Sequence, residues 1–468
     1  MRHGNQLDNQ AVFYLISKLE NMIDKGGVFF PHEGQYHDLI DYYEGEYLFE
    51  RALEVVDYAI LQYSLSPDFY LRKAELMLQN GQAEQALATL DKADLLVPHC
   101  LTTSLLRAEG FAAIGMHDEA IQLLEAMREN VDGQDLSKVY AQEGLIYHFK
   151  REYEREYLML EAALREDPNN NEALSRMWNC VEAARKHRES VELHKAIIDQ
   201  NPFSTLAWYN LGAAQQYLCN HNEAIEAYEY AFLTNPNFEF AYRACAEVCM
   251  DIMDYHKALQ CYQELLERCE PDDDLFLCIG KCYENLKNYP VARTFFEQAA
   301  TFNPLNDEAL FHIGTCFASQ KKWKKAIGFY LKAIRTNELD ENYFAALGEA
   351  YFQTGNYKDA ELHLKAAADI APEMADYWIR LARFYMDTQR IEEALEVLDE
   401  AEEYTFGSEI LYYRSAFLFK MGKKREALLV LEEALCEDFY AHGSMFSLLP
   451  MMAKDSEVKA VISIFQPE

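Results

Sequence analysis

Four thiols stand at a spacing that could bind a soft metal: Cys245 and Cys249 are four apart, and Cys278 and Cys282 repeat that interval. Zinc requires such ligands to converge on one tetrahedral point. At helical spacing Cys245 and Cys249 fall in packing slots, where a free cysteine acts as a small hydrophobe, and Cys278 falls on a different face. The expectation is no metal and no cofactor. His187 and His194 are seven apart and can share a helical face, and they read as surface or core histidines without a task. No zinc-protease helix motif, phosphate-binding glycine loop or Gly-x-Ser-x-Gly elbow occurs in the chain. Paired carboxylates are everywhere in so acidic a sequence, so their adjacency carries no weight. The chain is expected not to be an enzyme; a metal- or thiol-dependent protein is the rival.

The elements that would position any of these groups come in a regular pulse of about thirty-four residues. From Thr205 to Phe238 it carries Trp208, Leu211, Gly212, Ala224, Tyr228, Ala231 and Pro236. Phe276, Ile279, Gly280, Tyr283, Ala292, Phe296, Ala299 and Pro304 keep the same phase two steps on, and Phe344, Leu347, Gly348, Tyr351, Ala360, Ala367 and Pro372 do so again. Each unit reads as two helices. A small residue is needed wherever their backbones cross closely: Gly212, Gly280, Gly314 and Gly348 on the first helix, and on the second the series Ala52, Ala86, Ala120, Ala224, Ala258, Ala292, Ala326, Ala360, Ala394 and Ala427. Glu156 and Ser190 depart from that series. Gly81, Gly115, Gly355 and Gly422 suit the turn between paired helices, and Pro98, Pro168, Pro202, Pro236, Pro304 and Pro372 stop the second helix.

This order of residues resembles the tetratricopeptide repeat over most of the chain. The resemblance implies an all-α fold, an alpha-alpha superhelix or solenoid of about twelve helix-turn-helix repeats with terminal capping helices. The expected starts are Glu33, Pro67, Leu101, Ser137, Asn171, Thr205, Glu239, Asp273, Asp307, Glu341, Ala375 and Ser408. That places an N-terminal cap at 1–32, the array at 33–441 and a C-terminal cap at 442–468. Asn9 to Ile23 reads as an amphipathic capping helix, and Ser456 as the cap of a short last helix carrying Val458, Val461, Ile462 and Phe465. The repeats between Ser137 and Ser204 depart most, with Glu156, Trp178, Ser190 and His194 in unusual slots; local repacking is the reading, against a bend or binding site.

The resemblance also implies a concave groove lined by first helices, in which a peptide or partner protein docks. Arg176 and Asn179, then Asn210, Arg243 and Lys281, fall at groove positions in consecutive units. They could hold a carboxylate or acidic peptide, unless Glu172, Glu247 and Glu284 neutralise them within the wall. Family members that grip a chaperone's C-terminal carboxylate use a Lys and Asn pair that this set lacks. Arg380 and Arg383 form a second candidate pair, and Tyr209, Phe240, Phe311, Phe352 and Tyr412 are candidate groove rings. The expected function is a non-catalytic scaffold; self-association of the array ends, giving a homo-oligomer, is the other alternative.

Bulk composition narrows the partners. The chain has 468 residues, half of them hydrophobic, with 78 acidic against 43 basic side chains and a net charge of -35. Such a field opposes phosphate backbones and anionic lipid heads, so nucleic acid is not an expected partner. The run Lys321, Lys322, Lys324 and Lys325 around Trp323 reads as a solvated turn. No secretory signal and no bilayer-length apolar run is evident, and the 11 cysteines fit a reducing compartment, so the expected location is cytoplasmic.

Overall fold

The computed structural model describes residues 14–19, 30–98 and 100–466, and among them every regular element is a helix. The chain is all-α, of the alpha-alpha superhelix class, built from pairs of helices joined by short turns. The helices fall into two compact units, Met1–Val248 and Cys249–Glu468, with the division inside the helix Glu239–Asp251. In the first unit the paired helices run from Glu33–Gly45 with Phe49–Gln62 to Thr205–Tyr217 with His221–Thr234. In the second they run from Asp273–Asn285 with Tyr289–Phe302 to Ser408–Lys420 with Lys424–Glu437, preceded by Tyr255–Arg268.

The small residues let the helices of a pair meet. A Cβ added to Gly280 would stand 2.5 Å from the Phe296 ring, one on Gly314 2.5 Å from Tyr330, and one on Gly212 2.6 Å from Tyr228. Such distances are well inside van der Waals contact, so the glycine makes room for a ring that would otherwise push the pair apart. Every member of the alanine series is fully buried, and Glu156 and Ser190 are buried in the same slot. The turn inside each pair holds one left-handed residue. Gly81, Gly115, Gly355 and Gly422 fill that place in four pairs, but Tyr47, Arg151, Arg185, Cys219, Met253, Lys287, Lys321 and Gln389 fill it in the others, with φ between 56 and 64. The fold therefore imposes a conformation that most of its turn residues disfavour.

Two local expectations need correction. The fourth first-helix begins at Gly133, not Ser137, and runs to Phe149. Ser137 lies a turn inside it, buried, where its hydroxyl donates to the Ala163 carbonyl at 2.7 Å and accepts from Asn170 at 2.8 Å. From inside its helix Ser137 bridges neighbouring segments through these two bonds. At the C-terminus the helix Ser456–Phe465 is capped by Asp455, not Ser456: the Asp455 carboxylate accepts from the backbone N–H groups of Glu457 at 2.9 Å and Val458 at 3.2 Å. Asp one position earlier has the right reach for the N2 and N3 donors. Val458 and Val461 bury against Tyr412, Leu431 and Leu435. Most of the expected helix Asn9–Ile23 lies outside the described residues; residues 14–19 are helical, with Leu15 and Leu19 buried against Tyr36, Leu39 and Ile40. No described helix is long and apolar enough to cross a membrane.

Candidate partner-binding surface

The first unit holds a cavity of about 870 Å³. Its floor comes from the first helices Asn171–Ala184 and Thr205–Tyr217, which contribute Glu172, Leu174, Ser175, Trp178, Tyr209 and Asn210. Its rim comes from the loops that follow the second helices, where Asn169, Asn201, Phe203, Asn235 and Phe238 collect, and from Phe240. Prolines end those helices, so the loops are short and held: Asn201 donates to the Asn169 side chain at 2.6 Å, and Asn170 caps its helix by accepting from Ala173. Phe203 is 82% exposed, Phe240 63% and Trp178 41%, so three large rings face solvent around one opening.

Asn210 is the polar group at the bottom. It is 3% exposed, and its Nδ2 donates to the Leu174 carbonyl at 2.8 Å. A carbonyl can only accept, so the amide is fixed with Oδ1 on the other side. That oxygen is buried and has no hydrogen-bond partner. A buried acceptor left without a donor is costly and rare, and it marks a place where a ligand's N–H or O–H is welcome. Tyr209 packs against Phe238 edge-on at 5.4 Å, and burial raises its pKa.

The cationic side chains expected to line the groove are mostly engaged by the protein itself. Arg176 donates to the Ala141 carbonyl at 2.9 Å and pairs with Glu156 at 3.3 Å, with Glu172 at 4.0 Å. Arg243 pairs with Glu239 at 2.7 Å. Asn179 is exposed. In the second unit Lys281 meets Glu308 at 2.6 Å, and His312 meets Glu284 at 2.6 Å. His312 and Lys281 together hold the Glu308 carboxyl down at about 2. Burial opposes the His312 imidazolium, but its hydrogen bonds to Glu284 and Glu308 prevail and its pKa rises.

Residues 285–341 and 351–415 match two family models, each described as Tetratricopeptide repeat. The chain carries tetratricopeptide repeats. It is similar to the crystal structure of the APC/C hetero-tetramer Cut9-Hcn1, at 13% identity over 85% of this chain and 96% of that one, with a TM-score of 0.38. It is similar to YrrB, a TPR protein with an unusual peptide-binding site, at 20% identity over 40% of this chain and 96% of that one, TM-score 0.34. MamA 41-end from Desulfovibrio magneticus RS-1 gives 20% identity over 36% of this chain and 94% of that one, TM-score 0.33. Likenesses at these scores carry no weight for function. No curated protein matches the chain.

The second tetratricopeptide-repeat unit has smaller hollows. One of about 340 Å³ is lined by Asp307, Glu308, Phe311, His312, Asp340, Asn342 and Tyr343. There Phe311 is half-buried and stacks on Tyr343 at 4.8 Å. Another, of about 130 Å³, gathers Glu349, Phe352, Leu364, Arg380, Arg383, Phe384 and Asp387. Arg380 is tied to Asp376 at 2.7 Å, whereas Arg383 is exposed and leans on Tyr413. Tyr412 is not a groove ring: it is fully buried and donates to the Asp438 carbonyl at 2.6 Å. Cys245, Cys249 and Cys282 are buried and Cys278 is partly so, and the described residues contain no group of His, Cys, Asp and Glu placed to hold a metal. Cys282 donates to the Met250 sulfur at 3.5 Å, and burial pushes its thiol up to about 12. His187 and His194 are buried on one helix rather than exposed, His187 stacking on Tyr217 at 3.5 Å.

Trp178 and Phe203 are the residues that repeat-phase reasoning did not assign to a site. Trp178 stands out in the sequence as a departure from the repeat, read as local repacking against a bend or binding site. Phe203 carried a signal of its own, a large ring directly after Pro202 in a loop, where polar residues are the rule.

Proposed function

We propose that this chain is a non-catalytic protein-interaction scaffold, and that the cavity lined by residues 169–240 is where a peptide or a partner's segment docks. The observation that carries this reading is the buried, donorless Oδ1 of Asn210 at the base of a cavity rimmed by three solvent-facing rings. Exposed rings around a concave opening supply contact area, and the fixed amide supplies orientation. In this reading Tyr209 and Asn210 face the partner in the first unit, with Phe311, Phe352, Arg380 and Arg383 as further candidates in the second. Arg176, Arg243 and Lys281 serve the wall instead, since each is held by a carboxylate of the same chain.

Selection of displayed random peptides on the full chain tests it, with counter-selection on a chain carrying Trp178→Ala and Phe240→Ala. Both rings are exposed, so helicity by circular dichroism should be unchanged. Peptides retained by the native chain and lost by the variant are expected. If every retained peptide binds both chains equally, the cavity is not the docking site.

A further inference from the structure

The cavity's chemistry selects its guest, and this step rests on the scaffold reading above. Among the lining side chains the buried group left without a partner is an acceptor, the Asn210 Oδ1, already aligned by the bond to Leu174, and the charged group is another, the Glu172 carboxylate. No lysine or arginine lines it. The nearby cations are held elsewhere, Arg176 chiefly by Glu156 and the Ala141 carbonyl and Arg243 by Glu239. The rings of Trp178, Tyr209, Phe203 and Phe240 present aromatic surface to the same space.

We propose that this cavity receives the guanidinium of an arginine carried by a partner polypeptide. A guanidinium is planar, donates from five N–H groups and accepts nothing, so it suits these two acceptors. It can satisfy Asn210 and Glu172 from one end while its flat faces stack on the rings. A carboxylate or phosphate would add negative charge beside Glu172 and leave the Asn210 oxygen still without a donor. An apolar side chain would fill space but leave the same oxygen orphaned, at a cost that favours its exclusion. Lysine carries the charge as a compact, strongly hydrated point and stacks poorly. The chain's net charge of -35 draws a cationic segment towards it and repels an acidic one.

The test takes the peptides recovered by the selection above and resynthesises each with its arginine replaced by citrulline or by lysine, measuring affinity for the full chain by fluorescence polarisation. The expected result is that cavity-dependent peptides carry arginine, and that citrulline weakens binding by about tenfold or more, the scale of a hydrogen bond to a charged group. Glu172→Gln, at a half-exposed surface position, should weaken the arginine peptide by about tenfold and leave the citrulline peptide nearly unchanged. Cavity-dependent peptides that lack arginine, or that bind equally well with citrulline, would overturn this proposal and leave the scaffold reading standing. Recovery of no cavity-dependent peptide would overturn both.

Discussion

Glu156 Oε1 accepts from Arg176 Nη2 at 3.3 Å, and Glu156 is buried in the slot that alanine fills in most other pairs. A lone carboxylate there would be untenable. It persists because two helices each send it a partner, Arg176 from one and His148 from the other, whose Nδ1 lies 2.9 Å from Oε2. The departure from the repeat at Glu156 and the presence of Arg176 at a groove position are one feature.

Breaking half of that pair should therefore hurt more than removing all of it. Arg176→Met is expected to destabilise the chain by about 3 kcal/mol, since it leaves the buried Glu156 carboxylate to the half-exposed His148 ring. Glu156→Ala combined with Arg176→Met should return stability to the native level or slightly above, because alanine suits the slot. Urea midpoints of both singles and the double close the cycle. Simple additivity of the two singles would show that the pair is not coupled.

Gly280 gives a second expectation. A methyl there would meet the Phe296 ring at 2.5 Å, and the ring is fully buried with nowhere to retreat. Gly280→Ala should cost about 1 to 3 kcal/mol through overpacking, even though alanine is the better helix former. Adding Phe296→Leu should recover part of the loss. A midpoint unchanged in Gly280→Ala alone would mean that the helices separate without penalty.

The contrast between Gly280 and Arg243 shows what the sequence can carry. Packing slots repeat at one phase because every pair solves the same steric problem, so Gly280, Ala292 and Phe296 are legible from spacing alone. Charge pairing obeys local rules only in part. Arg243 with Glu239 is an intrahelical pair at four residues, visible in the sequence, but Lys281 meets Glu308 on a later helix and Arg176 meets the Ala141 carbonyl on an earlier one. No helical period relates those partners. Groove phase gave Tyr209, Asn210 and Phe240 of the cavity, but its loop-borne part was illegible for a related reason: Asn201, Phe203 and Asn235 come from separate loops, and loop positions carry no periodic signal.

The turn residues give a third expectation, opposite in sign to the second. Lys321 sits at φ 59, in the left-handed region, where a side chain costs about 1 to 2 kcal/mol relative to right-handed backbone. Glycine takes that conformation freely but loses about 0.5 to 1 kcal/mol of chain entropy on folding. Lys321→Gly should therefore stabilise by up to about 1 kcal/mol, and Gly422→Ala, at φ 82, should destabilise by a similar amount. Thermal midpoints of the two variants should move in opposite directions. Movement in the same direction would mean that the turns are set by something other than this conformation.

Acid should weaken the first unit through His194. The ring is fully buried, its Nδ1 lies 2.8 Å from the Ser190 carbonyl and 3.1 Å from its hydroxyl, and its Nε2 has no partner. Burial lowers its pKa to about 4, and burial lowers that of His187 on the same helix as well. The unfolded chain takes up a proton on His194 as pH falls below about 6.5, while the folded chain does not until about 4, so stability falls with pH across that window and levels off below it. Between pH 7 and pH 5 the loss from His194 alone is about 2 kcal/mol. His194→Leu removes the titrating ring together with its Nδ1 hydrogen bond to Ser190, a loss that is the same at both pH values. The variant should show a smaller drop in urea midpoint between pH 7 and pH 5 than the native chain. An equal drop in both would place the acid sensitivity elsewhere and show that His194 is solvated on the way to protonation.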